Sequence, residues 1–159
     1  MRINSKKKHP MDNFVTPKYL YKLAASRWGV KCTIDVCATK DNKKCRRFIS
    51  KKQNFLTMPF SYFKNTDVLW CNPPHSQSKY FVERIYQIWK KVGCAANLIL
   101  PINTLCSEYA EKYILPYVKF SRKIIIKGRH KFLSPRALKI TAEPSVNGYV
   151  TVFYPRRKI

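Results

Sequence analysis

The sequence predicts an open, mostly parallel three-layer α/β domain whose last strand runs antiparallel at an edge. Three observations lead there. Strand-like apolar runs alternate with amphipathic helical stretches in a βαβαβ order through the middle of the chain. Val68-Leu69-Trp70-Cys71 and residues 95–100 are almost continuously apolar, as strands covered on both faces are. With 159 residues, 45% hydrophobic and 14% aromatic, the chain is long enough for one domain with a substantial core and too apolar to be disordered.

Residues 1–12 carry Arg2, Lys6, Lys7 and Lys8 with little to bury and read as a basic flexible arm, leaving 13–159 to fold. Thr16-Pro17 then opens a helix, with Thr16 placed as a cap and Pro17 at the first helical position; Leu20, Leu23, Ala24 and Trp28 share a face, and Gly29 ends it. Capping explains Thr16, and so would contact with a ligand. Residues 31–36 have strand character from Thr33, Ile34 and Val36. Asp35 inside that strand needs either a hydrogen-bonded turn or a ligand. The small residues Cys37 and Ala38 would let a ligand approach the backbone closely, although the chain has only four glycines and no G-x-G-x-x-G. Lys43, Lys44, Arg46, Arg47, Lys51 and Lys52 crowd residues 40–52, which suits phosphate contact or a solvated helix face.

Residues 76–91 space Phe81, Val82, Ile85, Ile88 and Trp89 as an amphipathic helix, closed by Gly93. A buried strand over 95–100 stops at Pro101, a helix follows over 108–118, and Ile124-Ile125-Ile126 mark a strand over 123–127. Residues 128–147 read as a long basic loop before the final strand, 149–154.

The chain is organised around Asp67-Val68-Leu69-Trp70-Cys71-Asn72-Pro73-Pro74-His75. Two prolines remove backbone donors and fix φ, so the strand cannot pass Asn72. A carboxamide is thereby held on a stiff loop at a strand's carboxyl end, where open α/β sheets bind ligands.

Charge narrows the partner. Lys and Arg number 32 against 8 Asp and Glu, a net +24, and the cations are interleaved with aromatics rather than confined to a tail. Such a surface releases counterions from polyanions, so nucleic acid leads over a merely soluble basic, ribosomal-type or membrane-surface protein, and binding should weaken steeply with salt. The six cysteines form no C-x-x-C pair, which argues against zinc or any other metal and for reduced, buried thiols in an intracellular protein. No apolar stretch approaches the roughly 18 residues a membrane helix needs.

Several of these stretches together carry a resemblance. Thr16-Pro17, Ile34-Asp35-Val36-Cys37-Ala38, the run from Asn42 through Lys43, Lys44, Cys45, Arg46 and Arg47 to Phe48, Trp70-Cys71-Asn72-Pro73-Pro74, Leu100-Pro101 and Gly128-Arg129-His130-Lys131-Phe132 occur in order over nearly the whole chain. The set resembles the compact phage-type, Dam-like DNA N6-adenine methyltransferases. The resemblance implies a single Rossmann-like methyltransferase domain, S-adenosylmethionine as cofactor and the exocyclic N6 amine of adenine in DNA as acceptor. It implies Thr16, Pro17, Asp35, Cys37 and Ala38 on the cofactor side, and Gly128, Arg129, Lys131 and Phe132 near the cleft. It also implies double-stranded DNA with a flipped base and a cytoplasmic setting in a bacterium or phage-infected cell. No separate target-recognition domain is evident, so sequence reading would fall to residues 39–66 and 128–147, with short or relaxed specificity.

The chemistry needs few groups. The amine's lone pair is delocalised into the ring; two fixed acceptors, the Asn72 side-chain oxygen and the Pro73 carbonyl, would favour a pyramidal nitrogen aimed at the sulfonium methyl. Pro74 stiffens the loop, and His75 stands where the family usually presents Tyr, or less often Phe or Trp, to stack on the extruded base. An imidazole offers a smaller face and, when protonated, repels the sulfonium. Three readings follow: a slower adenine methyltransferase, a methyltransferase for another acceptor such as RNA or a protein amide, or an inactive basic nucleic-acid-binding protein.

Overall fold

The computed structural model describes residues 15–117, 122–126 and 148–158. One six-stranded sheet runs through them: β1 (Ile34–Asp35), β2 (Arg47–Phe48), β3 (Val68–Cys71), β4 (Ala95–Pro101), β5 (Arg122–Ile126) and β6 (Tyr149–Tyr154), in the spatial order β2-β1-β3-β4-β6-β5. The first four strands are mutually parallel, and β6 is antiparallel to both β4 and β5. The mostly parallel α/β sheet is therefore as expected. Two details differ.

The antiparallel strand β6 is not at the edge. It fills the gap between β4 and β5, pairing Ala96 with Tyr154 through to Pro101 with Tyr149, and β5 takes the edge. Tyr149, Val150, Thr151, Val152 and Tyr154 are all buried, and a strand buried on both faces has no tolerance for an exposed ladder. The second difference is β2, two residues long, in the basic stretch read as a loop or helix face. It forms because Ile49 N–H donates to the Asp35 carbonyl at 2.8 Å and Ala38 N–H to the Ile49 carbonyl at 3.2 Å, extending the pairing past the strand itself.

Alternate side chains of the central strands enter two cores, which makes three layers. Val68, Trp70, Ala95, Ile99 and Tyr149 meet Leu20 and Ala24 of α1 (Lys18–Trp28). Leu69, Cys71, Ala96, Leu98, Leu100, Val150 and Val152 meet Phe81, Val82, Ile85, Ile88 and Trp89 of α2 (Ser78–Val92), with Ala110 and Tyr113 of α3 (Glu108–Tyr113). Leu98 is fully buried, so truncation to Ala would cost about 2–5 kcal/mol. Gly29 and Gly93, at φ 60° and 77°, end α1 and α2 in the left-handed conformation that favours glycine. The helix expected over 108–118 stops at Tyr113, with a 3₁₀ turn at Leu115–Tyr117, because Pro116 lacks an N–H and disfavours helical geometry in the residue before it.

Under α1 lies a buried polar chain. Trp28 Nε1 donates to Thr151 Oγ1 (3.0 Å), Thr151 Oγ1 donates to Asn97 Oδ1 (2.8 Å), and Asn97 Nδ2 donates to the Ala24 carbonyl (3.3 Å). Every polar group involved is satisfied by another, so the network locks helix to sheet without an orphan.

Candidate active site

Three strand ends set the site. β3 is flanked by β1, in register Asp35 with Trp70, and by β4, in register Cys71 with Leu98. Val36 N–H donates to the Trp70 carbonyl at 3.0 Å, one step beyond β1, and this brings residues 36–38 alongside the Asn72 loop. α1 leads into β1 and α2 follows β3, so both helices begin at this carboxyl end of the sheet.

Asn72 is half-buried at the tip of β3, and its Nδ2 donates to Thr16 Oγ1 at 2.6 Å. Thr16 is therefore not the cap of α1. Pro17, with ψ 144°, occupies the N-cap position outside the helix rather than its first turn, and its carbonyl accepts from Leu20 N–H and Tyr21 N–H. The hydroxyl that would have capped is drawn across 56 residues to Asn72 instead. With its nitrogen spent on Thr16, the Asn72 carboxamide has a fixed rotation, and its oxygen points along the other branch.

The loop beyond is pinned just as locally. Pro73 is buried; the Pro74 carbonyl accepts from Gln77 N–H (2.9 Å) and Ser78 Oγ (3.2 Å), winding His75–Gln77 into a 3₁₀ turn before α2. His75 is half-buried and lines an open cleft of about 260 Å³ with Ser78, Pro101, Asn103, Thr104, Ser107 and Tyr109. The cleft lies on the β4 side of the Asn72 loop, opposite the β1 side where Cys37 and Ala38 sit. Ser107 Oγ donates to the Thr104 carbonyl (2.6 Å) and accepts from Ala110 N–H (3.3 Å), which fixes that wall by capping α3.

Asp35 is 3% exposed and makes the hydrogen-bonded turn: Oδ1 accepts from Cys37 N–H (3.2 Å) and Oδ2 from Lys44 N–H (2.9 Å). Burial raises its pKa above the ordinary carboxylate value against the opposing pull of those two N–H groups and the Lys44 ammonium. Burial likewise lowers the Lys44 pKa, with Asp35 opposing. Asp35 thus folds the loop after β1 back on itself. Cys37 is half-buried and Ala38 buried beside it; Cys71 is fully buried, which pushes its thiol well above the usual range and leaves it inert.

The basic stretch divides. Lys43 and Arg46 are exposed, Lys43 lying over the Phe48 ring at 5.0 Å. Arg47 is committed inward: its Nη1 meets Asp67 Oδ1 at 2.8 Å and its guanidinium stacks over Tyr62 at 5.2 Å. Asp67, 4% exposed, also accepts from Thr33 Oγ1 and Lys64 N–H, so Arg47 neutralises a buried carboxylate. Gly128, Arg129, Lys131 and Phe132 lie outside the described residues, as does the arm 1–12. Sequence reading missed Asp67 and Asn97 as buried polar anchors, although each is a polar residue beside or within an apolar strand, the same signal that marked Asp35.

The fold and site define an open α/β domain with an oriented carboxamide and a Pro-Pro loop at a central strand end, between the small residues that follow β1 and a polar cleft. Residues 4–150 match the family model described as DNA N-6-adenine-methyltransferase (Dam), and the chain belongs to that family. It is similar to the DNA N-6-adenine-methyltransferase of Haemophilus phage HP1 (strain HP1c1), 32% identical over 84 residues, 53% of this chain and 46% of that protein. It is also similar to the DNA N-6-adenine-methyltransferase of Escherichia phage T1, 34% identical over 100 residues, 63% of this chain and 40% of that protein. The matches thus span less than half of either relative. A SAM-dependent O-methyltransferase from Thermotoga maritima superposes over 89% of this chain and 46% of its own, at TM-score 0.40 and 14% identity, too distant to bear on the assignment. Among the described residues no helix is long and apolar enough to cross a membrane, and no group of three or more His, Cys, Asp or Glu could hold a metal ion.

Proposed function

We propose that this chain transfers a methyl group from S-adenosylmethionine to the exocyclic N6 amine of adenine in double-stranded DNA, with the base rotated out of the helix. The observation that carries the reading is the Asn72–Thr16 hydrogen bond, which turns the Asn72 oxygen into a fixed acceptor at the strand end. The residues on the β1 side of the Asn72 loop suit the cofactor. Thr16, Pro17, Cys37, Ala38, Asn72 and Pro73 are uncharged and small or rigid, and the absence of a glycine-rich phosphate loop suits a cofactor without phosphates. Asp35 contributes by shaping the loop that carries Cys37 and Ala38.

When bound, the cofactor supplies an electrophilic methyl. Asn72 Oδ1 and the Pro73 carbonyl accept the two N–H groups of the amine, withdrawing its lone pair from the ring and aiming it at that methyl. No strong base is required, since the proton can leave to solvent after transfer. Pro74 and Ser78 hold the loop still while His75 offers its ring face to the base entering the cleft. Lys43, Lys44 and Arg46, with Arg129 and Lys131, serve phosphates; folding of residues 13–159 as one methyltransferase domain goes with this reading.

The test is labelled cofactor incubated with DNA, RNA and a protein extract, followed by digestion. N6-methyladenine in DNA is the expected product, and label confined to RNA or protein would overturn the assignment. Asn72→Ala should lower transfer by at least about a hundredfold, the usual loss for a group that orients the reacting atom, while leaving cofactor affinity within a few-fold.

A further inference from the structure

Two large side chains stand out among the described residues as exposed hydrophobics: Tyr19, 50% exposed, and Tyr80, 47% exposed. Every tyrosine and tryptophan of the chain is among the described residues, and of these Tyr19 and Tyr80 are the ones left exposed. Both occupy the first turn of a helix, Tyr19 in α1 and Tyr80 in α2, and each follows a lysine, Lys18 and Lys79. Lys18, Lys22 and Lys79 are exposed beside them. Both helices begin at the carboxyl end of the sheet, one packed on each face, so the two Lys-Tyr pairs stand on opposite sides of Asn72. Tyr19 lies three residues past the Thr16 that holds Asn72, and Tyr80 two past the Ser78 that pins the Pro74 loop and lines the cleft. The buried residues of α1 are Leu20 and Ala24, and α2 buries Phe81 and Val82 next to Tyr80, so half of each tyrosine stays at the surface while its neighbours turn inward.

A lysine beside an exposed aromatic offers a phosphate one charge and a base one ring, the combination that grips nucleotides without reading their sequence. We infer that Lys18-Tyr19 and Lys79-Tyr80 form a two-sided rim that grips the DNA duplex around the target nucleotide, the tyrosines packing against bases or sugars that the extruded base leaves unsupported. This rests on the reading of DNA as the substrate and adds to it a contact surface at the helix starts, separate from the basic stretch at residues 43–47. Net charge +24 supplies the complementarity to the duplex.

The rim is tested on the full chain by fluorescence polarisation of a labelled DNA duplex, titrated across a salt series. Tyr19→Ala and Tyr80→Ala should each weaken binding about five- to hundredfold, with Tyr→Phe variants retaining most of it. Lys18→Gln and Lys79→Gln should each reduce the slope of log affinity against log salt by about one. Thermal unfolding and cofactor calorimetry of every variant check that fold and cofactor site are intact; Lys158→Gln, exposed and past the end of β6, is the control. Wild-type affinity and slope in all four rim variants would overturn the rim while DNA binding by the parent leaves the substrate reading standing. A parent chain that binds no duplex even at low salt removes both. Losses confined to single-stranded RNA, with the duplex unaffected, would reassign the surface to RNA and overturn the inference as stated.

Discussion

Replacing Thr16 by Val removes one hydroxyl at nearly constant shape and isolates the bond to Asn72. Thr16 is 6% exposed, so the vacated position is not refilled by bulk water, and Asn72 Nδ2 loses its acceptor. A neutral hydrogen bond contributes about 0.5–1.5 kcal/mol, and leaving a buried partner unsatisfied costs about 1–3 kcal/mol. Asn72 is only half-buried, which places the cost near the lower end, about 1–2 kcal/mol. That energy is what distinguishes the carboxamide with its oxygen outward from the flipped one, so its loss should lower the rate of methyl transfer about 5–30-fold. Thr16→Ser restores the hydroxyl and should recover most of the rate. Single-turnover methylation with saturating cofactor measures the effect, and calorimetry of cofactor binding separates it from affinity. The positioning argument fails if Val and Ser variants transfer at the parental rate, or if the whole loss appears in cofactor affinity; the second outcome would make Thr16 a direct cofactor contact.

His75→Tyr should preserve or raise the rate, because a larger ring covers more of the base; a dead variant, by the same single-turnover assay, would mean chemistry specific to imidazole. Arg47→Met should lower stability by about 1–2 kcal/mol in urea denaturation, discounted for a guanidinium side chain 40% exposed, and leave the salt slope of DNA binding unchanged. Arg46→Gln should do the opposite, holding stability and reducing the slope by about one. Asp35 has a folded-state pKa raised by burial, so its favourable contribution is full below the ordinary carboxylate range and fades as pH rises through the raised value. As pH rises from the ordinary carboxylate range to the raised value, then, the parent should lose stability relative to Asp35→Asn, read as the difference between their urea midpoints at each pH.

Sequence carried the central strands, the two long helices and the Asn72 loop, because these depend on local rules: apolar runs, helical spacing, glycine stops and proline breaks. Tyr149–Tyr154 and Ala95–Pro101 were legible as strands, yet their adjacency was not, since pairing partners follow from what remains unburied once other strands have docked. The near-continuous run of β-forming, largely apolar residues in Tyr149–Tyr154 was the available signal against an edge. Thr16 shows the same limit within the site. Its capping position was legible; that its hydroxyl would bond a residue 56 positions away depends on tertiary approach, which no spacing rule encodes. Arg47 illustrates the converse, a cation that composition grouped with its neighbours and that the buried carboxylate of Asp67 holds in an ion pair at the edge of the core.

The placement of β6 also bears on how the domain assembles. Among the described residues it is the latest strand, yet it sits inside the sheet and joins β5 to the parallel strands. Until it arrives, β4 offers an unpaired apolar border, and closing the contact spans from 48 residues (Pro101 to Tyr149) to 58 (Ala96 to Tyr154). Insertion of β6 should therefore gate folding, and refolding of a variant weakened in the β4–β6 pairing should slow accordingly. Nascent or truncated chains lacking β6 should be the aggregation-prone species, with the border of β4 as the surface through which they associate.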